Sequence, residues 1–249
     1  MKLALLSDVH ANLVALDAVL DELRREGITQ LVCLGDMIQG GVQPAQTVQR
    51  LRELGCPIVM GNADAWLLSG RMTGTEDFED ERLAALDAAR QWTLDQLDAQ
   101  DRAFIGAFRP TVEIALGGTH RLLACHGSPT DFDQFLLPTT PEEEFQRHLA
   151  PWADAIVAGG HMHLQFIRRL RDGFFFNPGS VGVAYRHAQA GPEIRLDPWA
   201  EYAVLRLHEG RPALEFRRVP FDVEALRAAW RRSDRPGAER ALAQYDASL

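Results

Sequence analysis

Seven residues of the kinds that hold divalent cations stand just past the ends of apolar runs: Asp8, His10, Asp36, Asn62, His126, His161 and His163. Carboxylate, imidazole and amide oxygen together make a nitrogen-and-oxygen donor set, suited to Mn²⁺, Fe²⁺, Ni²⁺ or Zn²⁺. Their spacing is regular. One residue separates Asp8 from His10 and His161 from His163, and in extended backbone such pairs point to one side of the chain. Glycine precedes three of the blocks, at Gly35 before Asp36, Gly61 before Asn62 and Gly159-Gly160 before His161. Without a Cβ, these positions are expected to let backbone approach a metal ion or a phosphate closely. One histidine past one strand is ordinary. The same donor types past five strand ends point to metal-ion chemistry.

These side chains act together only if the fold brings the strand ends to one place. Residues 2–7 form a continuous apolar run, as expected of a strand buried on both faces. A helix is predicted from an Asn12 cap, with Leu13, Leu16, Val19, Leu20 and Leu23 on one face and Gly27 past its end. A strand at 30–34, a helix opened by Pro44 and closed by Gly55, and a strand at 57–60 complete a parallel-sheet signature. In open α/β sheets the carboxyl ends of strands line the ligand crevice, so the seven residues could converge there.

From about 64 to 109 the pattern changes to acidic, Ala-rich helices, with Leu83, Leu86, Leu94 and Leu97 at helical spacing. This stretch reads as a helical insert over one edge of the sheet, either packing or a lid. Strands resume at about 111–116, 121–125, 154–158, 164–170, 173–176, 201–207 and 212–219, with a hairpin turning at Gly117-Gly118. A helix near 222–232 and a docked tail helix follow. Two packed sheets with helices outside, in one domain over residues 1–249, is the simplest α/β architecture.

The chain has 249 residues, 26 Lys+Arg and 35 Asp+Glu, for a formal net charge of −9. That balance argues against a stable nucleic-acid complex, which needs clustered cations, but not against a phosphate substrate held by metal ions. The longest early apolar run, Leu3–Leu6, is too short for a signal peptide or a membrane helix. Cys33, Cys56 and Cys125 are odd in number and lie in apolar stretches, as expected of reduced thiols in a cytoplasmic protein with no membrane partner.

In chain order the blocks Asp8-Val9-His10, Gly35-Asp36, Gly61-Asn62, His126 and Gly160-His161-Met162-His163 resemble the calcineurin-like metallophosphoesterases. The stretches 61–66, 126–129 and 177–182 are similar to the compact bacterial and archaeal phosphodiesterase-like branch. The resemblance spans residue 3 to about 207. It implies a four-layer α/β/β/α sandwich and two divalent ions, manganese favoured, with iron, nickel, zinc or magnesium as alternatives. One ion would be held by Asp8, His10, Asp36 and His163, the other by Asp36, Asn62, His126 and His161. Asp36 would bridge them, together with a water or hydroxide that attacks phosphorus. The implied activity is a hydrolase, a dinuclear phosphoesterase acting on phosphodiesters or small phosphorylated compounds, a nucleotide among them. The alternatives are an inactive scaffold, a dinucleoside polyphosphate hydrolase or a protein phosphatase. Oligomeric state stays open.

The chain departs from the family at Ala63, where many members carry a histidine thought to protonate the leaving oxygen. Asp64 and His187 are the substitute acid candidates. Asn62 and Arg186 are candidates for substrate contact. Trp66 could stack a base but is expected to pack in the core, Asn12 to cap its helix, and Ser180 to sit in a tight loop rather than act as a nucleophile.

Overall fold

The computed structural model describes residues 2–186 and 194–245. Strand β1 (Lys2–Leu6) is buried on both faces, Leu3 and Leu5 entering one core and Ala4 and Leu6 another. It is an inner strand of a four-stranded sheet ordered β2-β1-β8-β9, with β2 at Gln30–Cys33, β8 at Trp199–His208 and β9 at Arg211–Pro220. β1 runs parallel to β2 and antiparallel to β8, with Leu3 opposite Gln30 and Leu205. A five-stranded sheet, ordered β3-β4-β5-β7-β6, holds β3 (Val112–Gly117), β4 (His120–Ala124), β5 (Ile156–Ala158), β6 (Gln165–Arg169) and β7 (Phe174–Pro178). β4, β5 and β7 are mutually parallel, so the chain leaves β4 and β5 at the same edge.

The two sheets face each other across Leu5, Val32 and Ala203 on one side and Leu122, Ala124, Ile156 and Phe176 on the other. Helices α1 (Leu13–Arg25), α2 (Pro44–Leu54) and α7 (Val223–Arg232) cover the outside of the first sheet through Leu16, Val19, Leu51, Leu226 and Trp230. Helix α6 (Glu142–Leu149) covers the outside of the second, placing Phe145 and Leu149 against Val157 and Phe175. The layers therefore run helix, sheet, sheet, helix, the sandwich expected from the sequence.

Local chemistry sets the element ends. Asn12 caps α1, its Oδ1 accepting from Ala15 N at 3.1 Å, and its Nδ2 donates to Gly182 O at 3.0 Å, tying the helix start to the loop after β7. Gly55 closes α2 at φ 57°. Helices α3 (Asn62–Ser69), α4 (Asp80–Asp95) and α5 (Ala99–Gly106) occupy the stretch read as helical. Leu97 of that stretch is buried and Leu94 packs beside it, whereas Leu83 stays exposed. A short helix α8 (Ala238–Ala243) lies in the tail.

Two features differ from the sequence reading. The strand expected at 57–60 is reduced to single parallel bridges, Cys33 to Ile58 and Val59 to Arg109, because Pro57 has no N–H to donate and the segment is short. Helix α6 was not expected. Its three glutamates favour a helix start, and Phe145 and Leu149, four apart, supply its single buried stripe.

All three cysteines are free, and the sulfurs of Cys33 and Cys56, far apart in sequence, stand 3.8 Å apart. Among the described residues no helix is long and apolar enough to cross a membrane.

Candidate metal centre

All seven predicted residues come together, each just beyond a strand or extended segment: Asp8 and His10 after β1, Asp36 after β2, Asn62 after 57–60, His126 after β4, His161 and His163 after β5. They form two groups able to hold a metal ion, Asp8 with His10 and His163, and Asp36 with His126 and His161. Asp36 stands between them. Its Oδ1 accepts from Ala63 N at 2.8 Å, leaving Oδ2 3.4 Å from His126 Nε2 and 3.9 Å from His10 Nε2. Asn62 Oδ1 lies 3.0 Å from His126 Nε2.

The backbone reaches this arrangement differently from the extended pairs anticipated. Asp8 (φ 55°), His10 (48°), Asp36 (54°), His161 (69°) and His163 (51°) are all left-handed. For a residue with a side chain that conformation costs roughly 1–2 kcal/mol. Five such residues in one place mark a site whose surroundings hold it against local preference. The glycines also act otherwise than expected. A Cβ at Gly61 would overlap Asp36 Oδ1, and one at Gly35 would lie 2.7 Å from Gly61 Cα, so the room they leave is filled by the ligand loops themselves.

The donor atoms suit a cation. His10 Nδ1 lies 2.7 Å from Gln39 O, His126 Nδ1 2.6 Å from Leu34 O and His163 Nδ1 2.8 Å from Val183 O. A carbonyl oxygen only accepts, so each Nδ1 donates, and each ring, when neutral, turns an Nε2 lone pair inward. Those of His10 and His163 meet at 3.2 Å, with Asp8 Oδ1 3.1 Å from the second. Among the described residues, Asp8 Oδ1 and His161 Nε2 are buried with no hydrogen-bond partner. Acceptors crowded without donors require a positive charge among them, a proton or a metal ion.

Proton affinities report the same field. Burial opposes charging His126, yet the charge and hydrogen bond of Asp36, with Asp8 behind it, raise its pKa to about 9. His163 is also raised, Asp8 outweighing burial, whereas burial lowers His10 and His161. Burial likewise opposes charge on Asp36, but His126, His10 and His161 hold its carboxyl below the usual range.

The remaining candidates separate. Asp64 is fully buried and does not line the cleft. Its Oδ2 accepts from Met37 N and its Oδ1 from Ile38 N, both at 3.0 Å, so it braces the loop behind Asp36 rather than facing a leaving group. Burial, then the charge of Asp36, raise its pKa to about 7 against those two donors. Arg186 turns away as well, its Nε 3.4 Å from Asp197 Oδ1, and is absent from the cleft lining. His187 lies outside the described residues. Ser180 is buried in a tight loop, donating to Asp8 O and accepting from Val183 N, both at 2.8 Å. Trp66 is not a core residue; it lines the cleft. Tyr185, which the sequence did not single out, stacks on His163 with ring centres 4.8 Å apart and 13° between planes.

The cleft over these groups measures about 1020 Å³ and is bounded by α3, the stretch after it, the 132–137 loop and Tyr185.

The chain is 28% identical over 198 residues to an uncharacterized protein of Methanocaldococcus jannaschii, covering 72% of this chain and 76% of that one. It is 25% identical over 193 residues to phosphodiesterase YfcE of Escherichia coli, covering 74% and 80%. A metallophosphoesterase from Sphaerobacter thermophilus superposes with a TM-score of 0.71 at 24% identity, over 98% of both chains. A hypothetical protein from Pyrococcus horikoshii does so at 0.79 and 19%, over 99% of this chain and 98% of that one. The family model described as the calcineurin-like phosphoesterase superfamily domain matches residues 1–196, which contain all seven candidate ligands, and the chain belongs to that superfamily.

Proposed function

We propose that the protein is a dinuclear metal-dependent phosphoesterase that hydrolyses phosphodiesters or small phosphorylated compounds in the cytoplasm, with manganese as its favoured ion. The observation that carries this reading is the position of Asp36 Oδ2, within 4 Å of an inward Nε2 from each donor group. Superfamily membership and the likeness to a protein named a phosphodiesterase support it. Asp8, His10 and His163 would hold one ion, His126, His161 and Asn62 the other, and Asp36 both. Bound there, two divalent ions supply Lewis acidity toward phosphoryl oxygens and acidify water enough to make it a nucleophile near neutral pH.

The protein's own part is positioning. The Gln39, Leu34 and Val183 carbonyls fix three imidazoles in one tautomer and orientation. Ala63 N fixes Asp36. Asn62 opens α3 and lines the cleft, and there it would meet a phosphoryl oxygen as well as an ion.

A bis-aryl phosphodiester assay with added Mn²⁺, paired with metal analysis, tests the proposal. Metal-stimulated turnover at about two ions per chain is the expected result; background rates from metal-replete protein would make the chain a binding scaffold.

The missing acid has its own consequence. Ala63 lines the cleft, and a histidine there would face the leaving group. General acids contribute ~10²–10⁴-fold, and least where the leaving group departs unaided. Ala63→His is therefore expected to raise kcat on alkyl esters at least about tenfold more than on nitrophenyl esters. Equal changes on both would contradict the account.

A further inference from the structure

The cleft is much larger than a phosphate requires; pockets of ~300–1,000 Å³ enclose whole drug-sized ligands. Away from the metal ligands its walls carry Trp66, Phe132, Phe135 and Leu137 beside the polar Ser69, Thr73 and Asp133. Trp66 lies four residues after Asn62 on α3, so both present to the cleft from one helix face. The 132–137 loop, which lines the same cleft, leaves Phe132 38%, Phe135 61% and Leu137 38% exposed. Three large apolar side chains open to solvent within six residues form a patch rather than scattered surface. Phe135 also reaches the metal centre itself, its ring centre 4.7 Å from that of His161 in an edge contact. Arg71, in the stretch after α3, lines the same cleft with no ion-pair partner among the described residues.

We propose that the cleft selects phosphoesters bearing a flat aromatic ring system, a nucleobase foremost, which packs on Trp66 and the Phe132–Phe135 loop beside the metal centre. This deepens the phosphoesterase reading and rests on it. An alkyl chain would bury against any apolar wall, and a sugar's hydroxyls would be met by Ser69, Thr73 and Asp133, which also line the cleft, so neither accounts for the aromatic faces. Indole and phenyl faces reward a ring, because stacking adds to area burial and tolerates any base. Arg71 adds a planar cation able to stack on the base or pair with a second phosphate.

Calorimetric titration of the metal-loaded protein with AMP and with ribose 5-phosphate isolates the base, since the two share the phosphorylated ribose and differ at C1′, where the second carries a hydroxyl in place of adenine; KM replaces Kd for any ligand turned over. AMP is expected to bind about tenfold more tightly or better. Trp66→Ala and Phe135→Ala should each remove most of that advantage while leaving ribose 5-phosphate within about twofold of wild type. Equal affinity for the two ligands, or an AMP preference that survives both substitutions, overturns the ring site. If the protein loads metal and cleaves the bis-aryl diester yet shows no base preference, only the ring site falls. If it holds no metal and cleaves nothing, both readings fall together.

Discussion

Asp36→Asn is expected to lower kcat/KM on a bis-aryl diester by about a thousandfold or more, equivalent to ~4 kcal/mol of transition-state stabilisation, even at saturating metal. The size follows from the orientation of the side chain. Ala63 N donates to Oδ1, so an asparagine must put its carbonyl oxygen there and its NH₂ in the place of Oδ2. That NH₂ would direct hydrogens at the point shared by His10 Nε2 and His126 Nε2. One substitution then removes an anion from both ion sites and puts a donor in its place. Removing His10 alone would strip a single ligand from one site and should cost less. Metal content measured beside the rate decides the cause. Loss of one or both ions in Asp36→Asn, with the fold intact by circular dichroism, is the expected companion; near-normal turnover at saturating metal would remove Asp36 from the shared position.

Much of this site was legible in the sequence, for a physical reason. A strand buried on both faces reads as an unbroken apolar run, so a polar residue at its carboxyl end is conspicuous, and seven metal-type donors at such ends fell where the topology gathers them. β1 illustrates the rule: its unbroken apolar run required two cores, and the chain emerging from it could only deliver Asp8 and His10 at the sheet edge. What sequence reasoning missed depended on backbone. Alternation suggested that Asp8-x-His10 was extended, yet both residues are left-handed, a state stabilised by long-range bonds such as Asp8 N to Gly35 O and His10 N to Asp36 O. The carbonyls of Gln39, Leu34 and Val183 that orient the histidines carry no side-chain signal at all. Arg186 is a substrate candidate by its place after the 177–182 loop and its fork of donors, but its Nε faces Asp197, a partner eleven residues on that the loop's sequence does not announce. An aromatic beside an insert is expected in the core, but Trp66 lies four residues after Asn62, a spacing that puts it on the helix face turned to the cleft.

Asp64 carries the second large effect, and its place in the fold separates bracing from acid catalysis. Among the described residues its carboxylate is the sole partner of two buried amides, Met37 N and Ile38 N, in the turn that presents Asp36. Asp64→Ala leaves both without an acceptor, at a cost of about 1–3 kcal/mol each, so chemical denaturation of the metal-free protein should show a loss of roughly 2–6 kcal/mol. The turn is then free to shift, and misplacement of a reacting group by an ångström costs about a hundredfold in rate. A proton donor's removal would fall hardest on alkyl leaving groups and spare nitrophenol. A brace has no such preference. Asp64→Ala is expected to slow both substrate types by a similar factor and to weaken metal affinity with them, whereas Asp64→Asn, which keeps one acceptor, should fall between it and wild type. A loss confined to poor leaving groups, with stability and metal affinity unchanged, would instead make Asp64 the acid that Ala63 is not, reaching the cleft through a movement of α3 that uncovers a carboxyl now wholly enclosed.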